Sequence, residues 1–253
     1  MVGTIRLEHS THLRNISSST LRTVGSGLYV YNVTSLEELR FPHLSTVSAI
    51  HMRDVISPVQ ITFSKIVQVI NCHFTRVAFL SGSLPVIGEI SGTLQVFLSP
   101  GLKLIKLPSA RIPWIHIRAP EDSKFPLQVE FPELSNSSEI YMFGVAQIKI
   151  PKLTELDNFT FASSQAPSVY IPRLGQVQEY LSISKSEKLI TLTLPSLQNV
   201  GKNLDIYGNN ILKDLSLPKL SQVGKRLLTD GSFEKYFRLR YLHLTRSTVL
   251  TGL

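Results

Sequence analysis

The chain has 253 residues, 43% hydrophobic and 17% charged, with a formal net charge of +8. That apolar content supports a continuous core and excludes a disordered chain. The single cysteine, Cys72, excludes an internal disulfide framework and a cysteine-rich metal site. The basic residues are dispersed and no nucleic-acid-binding motif occurs, so no nucleic-acid partner is expected.

Residues 1–18 precede the regular pattern and are expected to form an N-terminal cap or a disordered segment. Their start, Met1-Val2-Gly3-Thr4-Ile5-Arg6, has no apolar stretch of the secretory kind. From residue 19 a repeat takes over. Its phase is set at Leu21-Arg22-Thr23-Val24-Gly25, which matches Leu197-Gln198-Asn199-Val200-Gly201. Its hallmark is the phrase apolar-Pro-x-apolar: Phe41-Pro42-His43-Leu44, then Leu84-Pro85-Val86-Ile87, and onward to Leu217-Pro218-Lys219-Leu220. Phe63-Ser64-Lys65-Ile66 fills one gap with serine in the proline slot. The anchors fall at 19, 42, 64, 85, 108, 132, 151, 172, 195 and 218. A period of 19 to 24 residues marks a solenoid, one coil stacked on the last.

Each repeat holds two short alternating segments that read as strands. The first is Leu28-Tyr29-Val30-Tyr31 and its equivalents, such as Ile50-His51-Met52-Arg53 and Leu204-Asp205-Ile206-Tyr207. The second runs into the proline, as in Leu39-Arg40-Phe41 and Leu215-Ser216-Leu217. Apolar residues two apart share one face of a pleat, so Leu204, Ile206, Leu215 and Leu217 should point inward, with Asp205 and Ser216 outward. In the same register Cys72 and Phe74 point inward and His73 outward. Proline cannot donate to a ladder and ends the strand at a corner. Gly25, Gly201 and Gly224 are expected at corners requiring positive φ. No helical period of useful length intervenes. The reading is an all-β, right-handed β-solenoid of about ten coils over residues 19–228, with a divergent C-terminal cap over 229–253.

The outward first-strand columns carry the chemistry. One contains Tyr29, His51, His73, His116 and Tyr141, and its neighbour Tyr31, Arg53, Phe97, Arg118 and Phe143. These ten residues form the candidate interaction face. Aromatic and guanidinium groups supply contact area at low ordering cost, so a sugar chain or a partner protein fits; cross-strand stacking alone is the competing account. Catalysis by paired carboxylates has no site here, because Asp205 is the one acid in these columns and stands alone. No enzyme activity is therefore expected. Zinc requires tighter convergence than a histidine column provides, and neither metal nor cofactor is expected. Four Asn-x-Ser/Thr sequons, at Asn15, Asn32, Asn136 and Asn158, are glycosylation candidates, the last three falling between expected strands.

The best-preserved stretch, Leu194 to Gly224, has the pattern L-P-x-L-x-x-V-G-x-x-L-x-I-x-x-N-x-x-L-x-x-L-x-L-P-x-L. It resembles the fungal GPI-anchored cell-wall-organisation proteins of the receptor L-domain-like superfamily, over residues 19–228 and most closely over 131–228. The resemblance implies a glycosylated, non-catalytic module at the cell surface or wall, contributing to wall organisation, with wall polysaccharide or a surface protein as partner. The chain departs from that pattern in lacking a signal peptide, flanking cysteines, and a Ser/Thr-rich stalk with an anchor signal. An intracellular leucine-rich-repeat-like scaffold that binds protein is the alternative those absences favour, and a polysaccharide-active β-helix enzyme is a third. No stretch of 18 apolar residues spans a membrane.

Overall fold

The computed structural model describes residues 2–63, 66–120, 125–229, 243–244 and 249–250. Every regular element among them is a strand, and the strands stack in parallel as a β-solenoid of about ten turns roughly 22 residues apart. The period expected from the sequence is the period of the coils. The chain divides into two compact units, Met1–Glu130 and Phe131–Leu253.

In the first unit the ladder of first strands runs Val2–Glu8, Thr23–Tyr31, Ala49–Phe63, Asn71–Phe79, Thr93–Phe97 and Trp114–Arg118. In the second it runs Asn136–Phe143, Glu155–Ala162, Gln176–Ser184, Asn203–Tyr207, Arg226–Thr229 and Val249–Leu250. Separate short ladders join the second strands, for example Ser168–Tyr170, Thr191–Thr193 and Asp214–Ser216. Val2–Glu8 and Asn15–Ser17, both ahead of the first anchor, are laddered onto Thr23–Tyr31 and Glu38–Phe41. Coil structure therefore begins before the repeat phrase does.

Period-two alternation builds the core. Leu28 and Val30, Ile50 and Met52, Cys72 and Phe74, and Leu94 and Val96 lie one above the other in the first unit, each at most 1% exposed. Ile140 and Met142, Phe159 and Phe161, Leu181 and Ile183, and Leu204 and Ile206 do the same in the second. Each such side chain contributes about 1.5–3 kcal/mol by leaving water.

The proline phrase is a β-turn. Leu44 donates its amide to the Phe41 carbonyl, and Leu134, Leu197 and Leu220 donate to Phe131, Leu194 and Leu217 in the same way. Proline at the second position of such a turn presets φ, while the two apolar ends are buried.

The expected glycine corners are built differently. Gly25, Gly201 and Gly224 are not left-handed. Gly201 and Gly224 are required by close approach instead. A Cβ at Gly201 would lie 1.9 Å from the Gln178 carbonyl oxygen, and one at Gly224 would lie 1.9 Å from that of Gly201. Positive φ falls one residue past the outward columns, at His9, Asn32, Asp54, Arg76 and Leu98 in the first unit. Gly144, Ser163, Lys185 and Gly208 hold that place in the second. This conformation keeps the ladder running through the corner: Asn32 donates to the Arg53 carbonyl at 2.9 Å and Lys185 to that of Tyr207 at 2.9 Å.

One residue further on, the second unit carries a buried polar ladder of Ser164, Ser186 and Asn209. Asn209 donates through Nδ2 to the Ile183 carbonyl and accepts from the Ser186 amide, while Ser186 Oγ accepts from the Ser164 amide. Burial without these partners would cost about 1–3 kcal/mol per group.

Candidate functional site

The first unit sets the expected columns in register. Tyr29 lies opposite His51, His51 opposite His73, His73 opposite Gln95, and Gln95 opposite His116. Tyr31, Arg53, Thr75, Phe97 and Arg118 form the adjacent column by the same pairings. The first coil adds Arg6 beside Tyr29 and Glu8 beside Tyr31. The alternation of Ile5-Arg6-Leu7-Glu8 signals this, but no proline phrase precedes it to set the phase.

The face is partly closed. Arg53 and Arg118 are exposed, whereas Tyr29, Tyr31, His51, His73, Phe97 and His116 are half-buried. The Tyr29 ring folds back over Gly27, where a Cβ would meet ring atoms at 2.8 Å. Its edge meets His51 at 5.3 Å between ring centroids, and the His51 and His73 rings stack at 4.3 Å and 24°. Arg6 and Arg53 lie over the Tyr31 ring at 5.9 and 5.4 Å. Cation–π contacts of this kind contribute about 0.5–1 kcal/mol at exposed sites.

Electrostatics follow from this packing. Burial pushes the His51 imidazole below its ordinary pKa. Burial likewise lowers His73, with a further contribution from His51 and His116. The Nε2 atoms of His51 and His73 are out of solvent and make no hydrogen bond. Burial also raises the Tyr31 phenol. The carboxylates nearby are held by arginines: Glu8 accepts from Arg6 at 2.8 Å, and Asp54 from Arg76 at 2.5 Å. Each is pulled below the usual carboxylate range by that hydrogen bond.

In the second unit, Tyr141 and Phe143 lie opposite Thr160 and Ala162, followed by Ser182 and Ser184, then Asp205 and Tyr207. The aromatic character gives way to small residues after one coil. Asp205 is not the isolated outward acid expected. Its side chain is only 13% exposed and is gripped by Arg226 from the next coil, through Nε at 2.9 Å and through Nη2. Ser216 is exposed as expected, and Leu204, Ile206, Leu215 and Leu217 are buried.

The sequons divide. Asn15 is exposed at the start of a strand. Asn32 is exposed at a left-handed corner, its amide donating to His9 Nδ1 at 3.2 Å. Asn136 and Asn158 lie within strands, not between them, and both are half-buried. Asn136 donates to Glu155 Oε1 at 3.0 Å. Both strands run upstream of Ile140 and Phe159 past the expected turn, with a break in the alternation, since the next buried residues are Ser137 and Leu156.

Among the described residues no group of three or more His, Cys, Asp and Glu side chains is placed to hold a metal. Cys72 is fully buried, and burial raises its thiol pKa. Two shallow grooves lie away from the face. One, about 420 Å³, is lined by Ser17–Thr20, Arg40 and Pro42, and the other, about 330 Å³, by Gln147–Pro151, Ser168, Tyr170 and Pro172. Neither gathers a carboxylate. Among the described residues no helix is long and apolar enough to cross a membrane.

No protein-family model matches the chain, and no curated protein or solved structure is significantly similar to it.

Proposed function

We propose that the protein is a non-catalytic structural and interaction module of the fungal cell-surface type, contributing to wall organisation, with wall polysaccharide or a surface protein as its partner. The observation that carries this reading is the in-register pair of columns in the first unit, where Tyr29, Tyr31, His51, His73 and Arg53 are fixed by ring and cation–π contacts. A rigid surface of aromatic and guanidinium groups loses little conformational freedom on binding. The pattern from Leu194 to Gly224 supports the assignment to the cell surface. The arginine partners of Glu8, Asp54 and Asp205 support a non-catalytic role, since a general acid or base needs a carboxylate that is free to exchange a proton.

Cosedimentation with insoluble β-glucan and with chitin tests the proposal. The purified chain is expected to pellet with at least one of them, and Tyr31→Ala combined with Arg53→Ala to weaken that binding about tenfold or more. Undiminished binding by the double variant would remove the face from the reading. Release of reducing ends from either polymer would replace the reading with that of an enzyme.

A further inference from the structure

The His51–His73 stack lies at the centre of the proposed face. Its rings are nearly parallel, 4.3 Å apart, on the adjacent coils Ala49–Phe63 and Asn71–Phe79. Both Nε2 atoms are sealed from solvent without an acceptor. A neutral imidazole tolerates this, because one ring nitrogen carries no proton and the other can face outward. An imidazolium has two N–H donors, so a proton on Nε2 would be buried without a partner.

Among the described residues, the surroundings offer no compensating charge. Thr23–Tyr31 presents Tyr29 and Tyr31, and Val2–Glu8 beyond it presents Arg6 with Glu8, already bonded to each other. The histidines' own strands present Arg53, and Asp54 with its partner Arg76. Thr93–Phe97 presents the neutral Gln95 and Phe97, and Trp114–Arg118 presents His116 and Arg118. Among the described residues the groups facing the stack are thus neutral or cationic, and the two acids in its neighbourhood, Glu8 and Asp54, are bound by arginines.

We propose that the His51–His73 stack is a proton-operated latch on this face, closed when both imidazoles are neutral and opened when acid charges them. The consequence for binding rests on the face being the working surface; the latch itself does not. Two like charges at stacking distance repel, so the pair takes up its protons in separate steps. Burial lowers both histidines in the folded chain from an ordinary value of 6.5. The unfolded chain therefore binds protons that the folded chain refuses. The stabilising contribution is complete above pH 6.5 and is lost as pH falls through the lowered values. Opening separates the rings, withdraws the edge contact of Tyr29 and loosens the two coils.

The test is a ligand-free NMR titration of the full chain from pH 8 to 4, following the imidazole resonances, with the urea-unfolded chain as reference. His51 and His73 are expected to titrate below the unfolded reference, in two steps separated by more than about one pH unit. His51→Gln should merge these into one step and raise the pKa of His73, which the His51 charge helps to lower. Hydrogen exchange, corrected for intrinsic rate, should show Ile50–Arg53 and Cys72–Thr75 losing protection below the second step while Leu204–Tyr207 keep theirs. A single step at the unfolded value, an unmoved His73 in the variant, or unchanged protection at these coils would each overturn the latch. If His51→Gln folds poorly, as judged by circular dichroism at pH 7.5, His51→Asn with His73 observed gives the same readout. Failure of polysaccharide binding with an intact two-step titration would remove the proposed partner and leave the latch standing.

Discussion

Cys72 sits in an apolar column between Ile50 and Leu94, fully buried, with its thiol pKa raised by desolvation. A thiol in that state exposes neither its sulfur nor a useful fraction of thiolate, so it reacts slowly. Native protein should resist a thiol-labelling reagent while denatured protein labels fully; fast native labelling would place Cys72 on the outer face. The inward assignment of Cys72 was legible because a strand's side chains alternate strictly, and one apolar neighbour fixes the phase. The partner of Asp205 was not legible. Arg226 lies 21 residues away, beyond the last proline phrase, where only stacking brings the two together. The histidines divide the same way. Their column was readable from the period, but the 4.3 Å stack and the sealed Nε2 atoms depend on rotamers that a sequence does not display.

At the scale of the coil, turns and corners answer to different constraints. The proline phrase was readable because a β-turn with proline at its second position and two buried ends needs those residue types in that order. The left-handed corner was obscured, since His9, Asn32, Asp54, Arg76, Leu98, Ser163 and Lys185 share a conformation but no side-chain type. Gly144 and Gly208 hold the same place in two coils of the second unit, and they mark it once the strands are aligned. Gly201 was misread for the opposite reason: glycine there answers to a neighbouring backbone and not to its own φ. Gly201→Ala should cost about 1–3 kcal/mol or more, because the clashing atom is a carbonyl that cannot turn away. Gly175→Ala, whose nearest contacts would be ordinary at 3.8 Å, should be close to neutral. Urea denaturation of both variants checks the contrast, and equal costs would contradict it.

Over the whole chain, stability resides in contacts between successive coils, as in any solenoid. The apolar columns and the backbone ladders carry it. Inter-coil ion pairs such as Arg14–Glu37 and Glu133–Lys152 are exposed and contribute about 0–1 kcal/mol each. The fold class was therefore accessible to a reading of period and pattern, and the function was not, because a solenoid's outer columns are free to vary without disturbing the core. What any reading of the face requires is the register that brings its columns together. Thr75 and Phe97 are direct partners in that register, whereas Val96 points into the core. Parallel neighbours lie about 4.8 Å apart, within the span of a disulfide. In a Cys72→Val background, Thr75→Cys with Phe97→Cys should cross-link under mild oxidation of the native chain, and Thr75→Cys with Val96→Cys should not. Closure of the second pair and not the first would shift the strands by one residue, turn His73 inward, and contradict the face, the latch and the function drawn from them.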